Sequence, residues 1–133
     1  MGQHSIPIIF YKNEITPTMI DRTVQNIDVL PTILDYLNFD KPYYSLGNSM
    51  FSAKTQPVIF YSSPLFCCVQ DSFCYILKDY AFVEKYNFKT DSSLKSNLPT
   101  NNGDKELLNF CKAYIQNYTN DVIKNKTYYD NKK

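Results

Sequence analysis

"PVIFYSSPLFCCVQDSFCYILKDYAFVEKYNF", residues 57–88, strings together short runs rich in β-branched and aromatic residues: "PVIFYS", "LFCCVQ", "FCYILK" and "YAFVEKYNF". Side chains of this kind fit the pleated surface of a sheet. Lys78-Asp79 lies between two of the runs as a tight turn. The stretch therefore predicts an antiparallel meander of three or four strands.

Downstream, residues 90–103 are polar and contain Pro99 and Gly103, which marks a loop. "DKELLNFCKAYIQNYTNDVIKNK", residues 104–126, then repeats apolar residues at Leu107, Leu108, Cys111, Tyr114, Ile115, Tyr118 and Ile123. That spacing predicts an amphipathic helix of about six turns, with Asp104 as its cap and lysines toward its end. The tail after Thr127 is expected to fray.

Upstream, "QNIDVLPTILDYLNFDKP", residues 25–42, places Pro31 inside a helical apolar pattern of Ile27, Leu30, Ile33, Leu34 and Leu37. Asp28 as a cap, accepting from the free N–H groups of the first turn, puts Pro31 where no intrahelical donor is lost. The proline marks a start, and Asn38 is the left-handed terminator of a helix over residues 29–37. "SLGNSMFS", residues 45–52, is a glycine-bearing loop, and residues 12–24, with Pro17, read as a surface loop. "SIPIIFY", residues 5–11, is nearly continuous in apolar residues, which suits a strand buried on both faces of a helix-flanked parallel sheet.

The chain of 133 residues is long enough for one small domain with a core of its own. Lys+Arg of 14 against Asp+Glu of 13 leaves a net charge of +1, so no global field draws nucleic acid or an anionic membrane. A nucleic-acid partner is therefore disfavoured. No segment approaches the ~20 apolar residues that span a bilayer, and no signal-like N-terminal pattern is present. Tyr is abundant at 12 and Trp absent, which reads as coding bias and carries no functional weight, including for a Tyr-rich glycan-binding module.

The cysteines, Cys67, Cys68, Cys74 and Cys111, include no C-x-x-C pair, so they read as buried free thiols. Cys67-Cys68 has no base nearby to make a nucleophile. Asp28 and Asp35 stand seven residues apart, about 10 Å along one helix face, too far to share a proton. Asn117-Tyr118-Thr119 and Asn125-Lys126-Thr127 match the glycosylation triplet, a match too common to weigh.

Three of these stretches, in order, resemble the C-terminal part of the sulfatase family of the alkaline phosphatase superfamily, especially its lipoteichoic acid synthase-like and phosphoglycerol transferase-like members. "HSIPIIFY", residues 4–11, looks like the strand that follows the last metal-binding segment. "IDVLPTILDYLN", residues 27–38, is similar to the helix Asp-x-x-Pro-Thr-Leu-Leu-x-x-Leu-Gly, and "GNSMF" after it resembles a Gly-x-Ser-Leu-Phe loop. "EKYNFKTDSSLKSNL", residues 84–98, resembles the closing pattern Glu-Leu-Tyr-Asp-Leu-x-x-Asp-Pro-x-Glu-x-x-Asn-Leu. Tyr86, Asp91, Asn97 and Leu98 fall on matching positions, while Lys85 replaces Leu, Asn87 replaces Asp and Ser92 replaces Pro.

The resemblance implies an α/β fold, α+β in its C-terminal part. Residues 1–52 would end an alkaline phosphatase-like catalytic sheet. Residues 53–133 would form a small antiparallel subdomain packed with the long helix. Family members hydrolyse or transfer sulfate or phosphate esters with a Thr or formylglycine nucleophile and a divalent metal, Ca, Mn, Mg or Zn. Those residues would lie upstream of the first strand, so the chain itself is expected to hold no metal and no catalytic residue.

His4 is the substrate-side candidate; its matching position is not a usual metal ligand, and a polar residue at a strand's entrance is the plainer role. Asp28, Pro31, Tyr86, Asp91 and Asn97 are expected to be structural. The implied partner is the missing catalytic region, or another chain pairing with strand 5–11. The implied parent is membrane-anchored with an extracytoplasmic catalytic domain, and this chain inserts in no membrane. The alternative is a free-standing interaction module that uses strand 5–11 as an exposed edge.

Overall fold

The computed structural model describes residues 6–14 and 16–129. In chain order it has a 3-10 turn at Asn26–Asp28 running into helix α1 (Val29–Tyr36). Strands β1 (Val58–Ser62), β2 (Leu65–Gln70), β3 (Phe73–Lys78) and β4 (Ala81–Asn87) follow, then helix α2 (Asp104–Ile123). The strands form one antiparallel sheet in the order β1-β2-β3-β4. This is an α+β arrangement.

Pairs such as Phe60 with Cys67, Cys68 with Tyr75 and Tyr75 with Lys85 set the register. The β3–β4 turn falls on Asp79 and Tyr80, both left-handed at φ 48 and 62, one residue beyond the expected Lys78-Asp79. Two consecutive left-handed residues give the turn whose twist matches that of paired strands. Lys78 stays in β3 opposite Ala81, and a register shift at Ile76/Leu77 follows.

Successive side chains of a strand face opposite ways. On one face Cys68, Tyr75 and Leu77, with Ile59, Phe66, Phe73 and Phe82, pack against Leu107, Leu108, Cys111 and Ile115 of α2. On the other Val58, Val69 and Cys74 cluster with Phe60, Ile76 and Phe88. Apolar residues on both faces explain why the strand runs are continuous instead of alternating.

Both helices end on a left-handed asparagine, Asn38 as expected and Asn125 in place of the expected lysines, none of which falls in the last turn of α2. Asn38 takes φ 52, with Asn38 N–H donating to the Asp35 carbonyl and Phe39 N–H to that of Leu34. Asn125 takes φ 51, with its N–H on the Val122 carbonyl and that of Lys126 on Asp121. These are paired Schellman closures, in which a left-handed Asn does the work usually given to glycine. The α1 segment joins α2 through Tyr44, whose hydroxyl donates to Asp121 Oδ2 at 3.0 Å.

The strand expected at residues 5–11 does not form among the described residues. Residues 6–11 take no strand pairing, and Ile6, Ile9, Phe10 and Tyr11 stand exposed. An apolar run becomes a strand only beside a neighbour that satisfies its backbone, and the sheet at residues 58–87 does not extend to it. Ser5, the first residue of that run, and His4 lie outside the described residues. Among the described residues this segment finds no sheet to join.

Candidate functional site

The residues singled out around α1 form a clasp between that helix and the loop at residues 45–52. Asp28 is buried; its Oδ2 accepts from Gln25 N–H and its Oδ1 from Asn48 N–H, each at 2.9 Å. Thr32, one turn on, donates from Oγ1 to the Asp28 carbonyl at 2.5 Å and accepts from Met50 N–H at 2.9 Å. Pro31 is buried in the first turn, where its missing donor costs nothing.

Asp28 does not cap α1 as expected. No side chain caps that helix, and Asp28 has helical angles, φ −79 and ψ −14. Capping requires an extended residue, and the 3-10 turn before α1 moves that conformation back to Gln25, φ −132 and ψ 161. Asp28 completes a capping box on that turn instead, reaching back to the Gln25 backbone.

Three residues of the clasp carry no signal strong enough to be picked from sequence. Arg22 donates from Nη1 to the Ser52 carbonyl at 2.8 Å and from Nη2 to those of Ser49, at 3.2 Å, and Met50. Ser49 Oγ donates to Asp35 Oδ2. Gly47 sits so close to the 3-10 turn ahead of α1 that a Cβ there would overlap the Ile27 carbonyl and stand 2.8 Å from Asp28 Oδ1. A lone glycine in a loop that follows a helix was the available hint.

Chemically the clasp is occupied. Both oxygens of Asp28 serve backbone amides, and Asp35 serves Ser49, so the two carboxylates do not meet. Among the described residues Ser49 and Asp35 have no imidazole beside them to make the serine a nucleophile. Beside them Arg22, Thr23, Asn48, Lys54 and Thr55 line a polar cleft of about 20 Å³, room for one water. Among the described residues no three His, Cys, Asp or Glu side chains come together as a metal site.

The second constellation lies between sheet and α2. Lys85 Nζ donates to Asp104 Oδ1 at 2.9 Å and Oδ2 at 3.0 Å, and the Tyr75 hydroxyl donates to Oδ1 at 2.9 Å. All three are buried, and the ammonium lies 4.8 Å from the Phe73 ring centre and 5.2 Å from that of Tyr75. Burial disfavours the Asp104 carboxylate, but Asn101 N–H, Lys85 and Tyr75 outweigh it and hold its pKa below the ordinary value. Burial and the Asp104 bond push the Tyr75 phenol up.

Asp104 therefore is not the cap of α2. The helix takes Gly103 as its flanking residue and has no side-chain cap. The Asp104 side chain turns back to Asn101 N–H at 2.8 Å and inward to Lys85.

Residues of the closing pattern secure the chain after β4. Asp91 Oδ2 accepts from Lys95 and Ser96 N–H, each at 2.7 Å, and these amides hold its pKa below the usual range. Asn97 Oδ1 accepts from Lys85 N–H at 3.0 Å, and Leu98 N–H returns to the Lys85 carbonyl at 2.8 Å. The Tyr86 hydroxyl donates to Glu84 at 2.7 Å.

The cysteines are free and buried. Burial pushes the Cys67 thiol up to about 11, and Tyr114, on α2, is raised to about 12 by burial and then by the charge of Asp28. Cys68 is raised by its bond to Cys111 and by burial. Such thiols are poor nucleophiles. No protein-family model matches the chain, and a comparison with curated proteins finds no match.

Proposed function

We propose that this chain is the non-catalytic C-terminal portion of a sulfatase-like hydrolase or transferase acting on sulfate or phosphate esters, and that it braces the catalytic sheet. The observation that supports this is where apolar surface remains. Ile6, Ile9 and Phe10 of the unpaired segment, Leu30 and Ile33 of α1 and Leu37 just past its end stand in solvent, while the sheet buries its apolar face on α2. A segment apolar on both sides and a helix apolar on its outer side are both satisfied by a helix-flanked sheet.

Chemistry in this reading belongs to the catalytic portion, which would supply the Thr or formylglycine nucleophile and the residues that hold a divalent metal, a Lewis acid for the ester. The parent is membrane-anchored and works outside the cytoplasm. The isolated chain, assayed with p-nitrophenyl sulfate, p-nitrophenyl phosphate and bis-p-nitrophenyl phosphate in Ca, Mn, Mg or Zn, is expected to give no turnover above buffer. Metal-dependent turnover would sink the non-catalytic reading. Sequencing the DNA ahead of the Met1 codon tests the parentage: the reading requires an open frame encoding an Asp-His pair and a Thr or Cys nucleophile.

A second reading rests on the unpaired, largely exposed residues 6–11 alone: a free-standing module that adds this segment to the sheet edge of another chain. A stop codon and ribosome-binding site just upstream would favour it. A monomer whose amides at residues 6–11 resist hydrogen exchange would count against it.

A further inference from the structure

We draw no further inference here: the strongest candidate, the exposed apolar patch of Leu30 and Ile33 on α1 and Leu37 at its end with the unpaired segment 6–11, is the surface the proposed function already uses, and nothing in the structure shows what covers it.

Discussion

Lys85 on β4 and Asp104 at the start of α2 form a buried ion pair, with Nζ 2.9 Å from Oδ1 and 3.0 Å from Oδ2. It fixes where the helix begins on the sheet. Desolvating two charges costs several kcal/mol, and their attraction offsets this only while both are present. Lys85→Ala is therefore expected to destabilise the chain by roughly 3–5 kcal/mol, because it strands the carboxylate. The double variant Lys85→Ala/Asp104→Ala should lose less than the two single losses added together. Urea unfolding of the four proteins in this cycle measures it; strict additivity would mean the pair is not coupled.

The same carboxylate sets a pH dependence. Asp104 and Asp91 are both held below the ordinary carboxylate pKa in the folded chain, by backbone N–H groups and, for Asp104, by Lys85 and Tyr75 as well. A depressed carboxylate contributes stability that is fully present above its unfolded value and lost as pH falls through its folded value. Unfolding free energy should therefore be flat from neutrality to about pH 5 and fall below that. Asp104→Asn should be less stable at pH 7 and show a shallower fall below pH 4. Urea midpoints from pH 7 to pH 2 test this, and parallel curves for the two proteins would refute it.

How far the sequence could be read follows from how local each signal is. Pro31 and Asn38 were legible because a proline in a first turn and an Asn in left-handed conformation are decided by their own backbone. The meander was legible from the length and content of its runs. Residues 6–11 were not, because an apolar run becomes a strand only if something pairs with it. Asp28 and Asp104 each sit within a residue of a helix start, and capping changes hands on that margin. Lys85 looks like a surface lysine until α2 brings Asp104 over it.

Gly47 is required for space and not for backbone conformation, since neither described glycine, Gly47 or Gly103, has positive φ. A Cβ at Gly47 meets backbone, the Ile27 carbonyl, which cannot swing aside. Gly47→Ala should cost about 1–3 kcal/mol, as overpacking does. At Gly103 the nearest atom to a Cβ is the Asn101 side chain at 3.1 Å, so Gly103→Ala should cost less than about 1 kcal/mol. Equal urea midpoints for the two variants would contradict the clasp geometry.

The buried thiols should be silent until the chain unfolds. With Cys67 pushed up to about 11, roughly one molecule in a thousand carries its thiolate at pH 8. Cys111 is 0% exposed and Cys68 1%. Native protein treated with Ellman's reagent at pH 8 is expected to react slowly, while in 6 M guanidinium chloride all 4 cysteines react at once. A rapid equivalent in the native state would place a thiol at the surface.

Exposure on α1 separates the proposed function from simple folding. Leu37 is 64% exposed and Leu30 51%, so Leu30→Glu and Leu37→Glu should change the stability of the isolated chain by less than about 0.5 kcal/mol. Leu107, 7% exposed on the sheet-facing side of α2, should cost about 2–5 kcal/mol on truncation to Ala. If α1 packs on a catalytic sheet, the glutamates become buried charges once the upstream coding sequence is joined to the chain. Each should then destabilise the longer protein by at least about 2 kcal/mol. Urea midpoints of Leu37→Glu in the short and the extended chain decide the matter: a loss confined to the extended chain supports packing of α1 on the sheet, and the same small effect in both leaves that face in solvent and removes the argument for bracing.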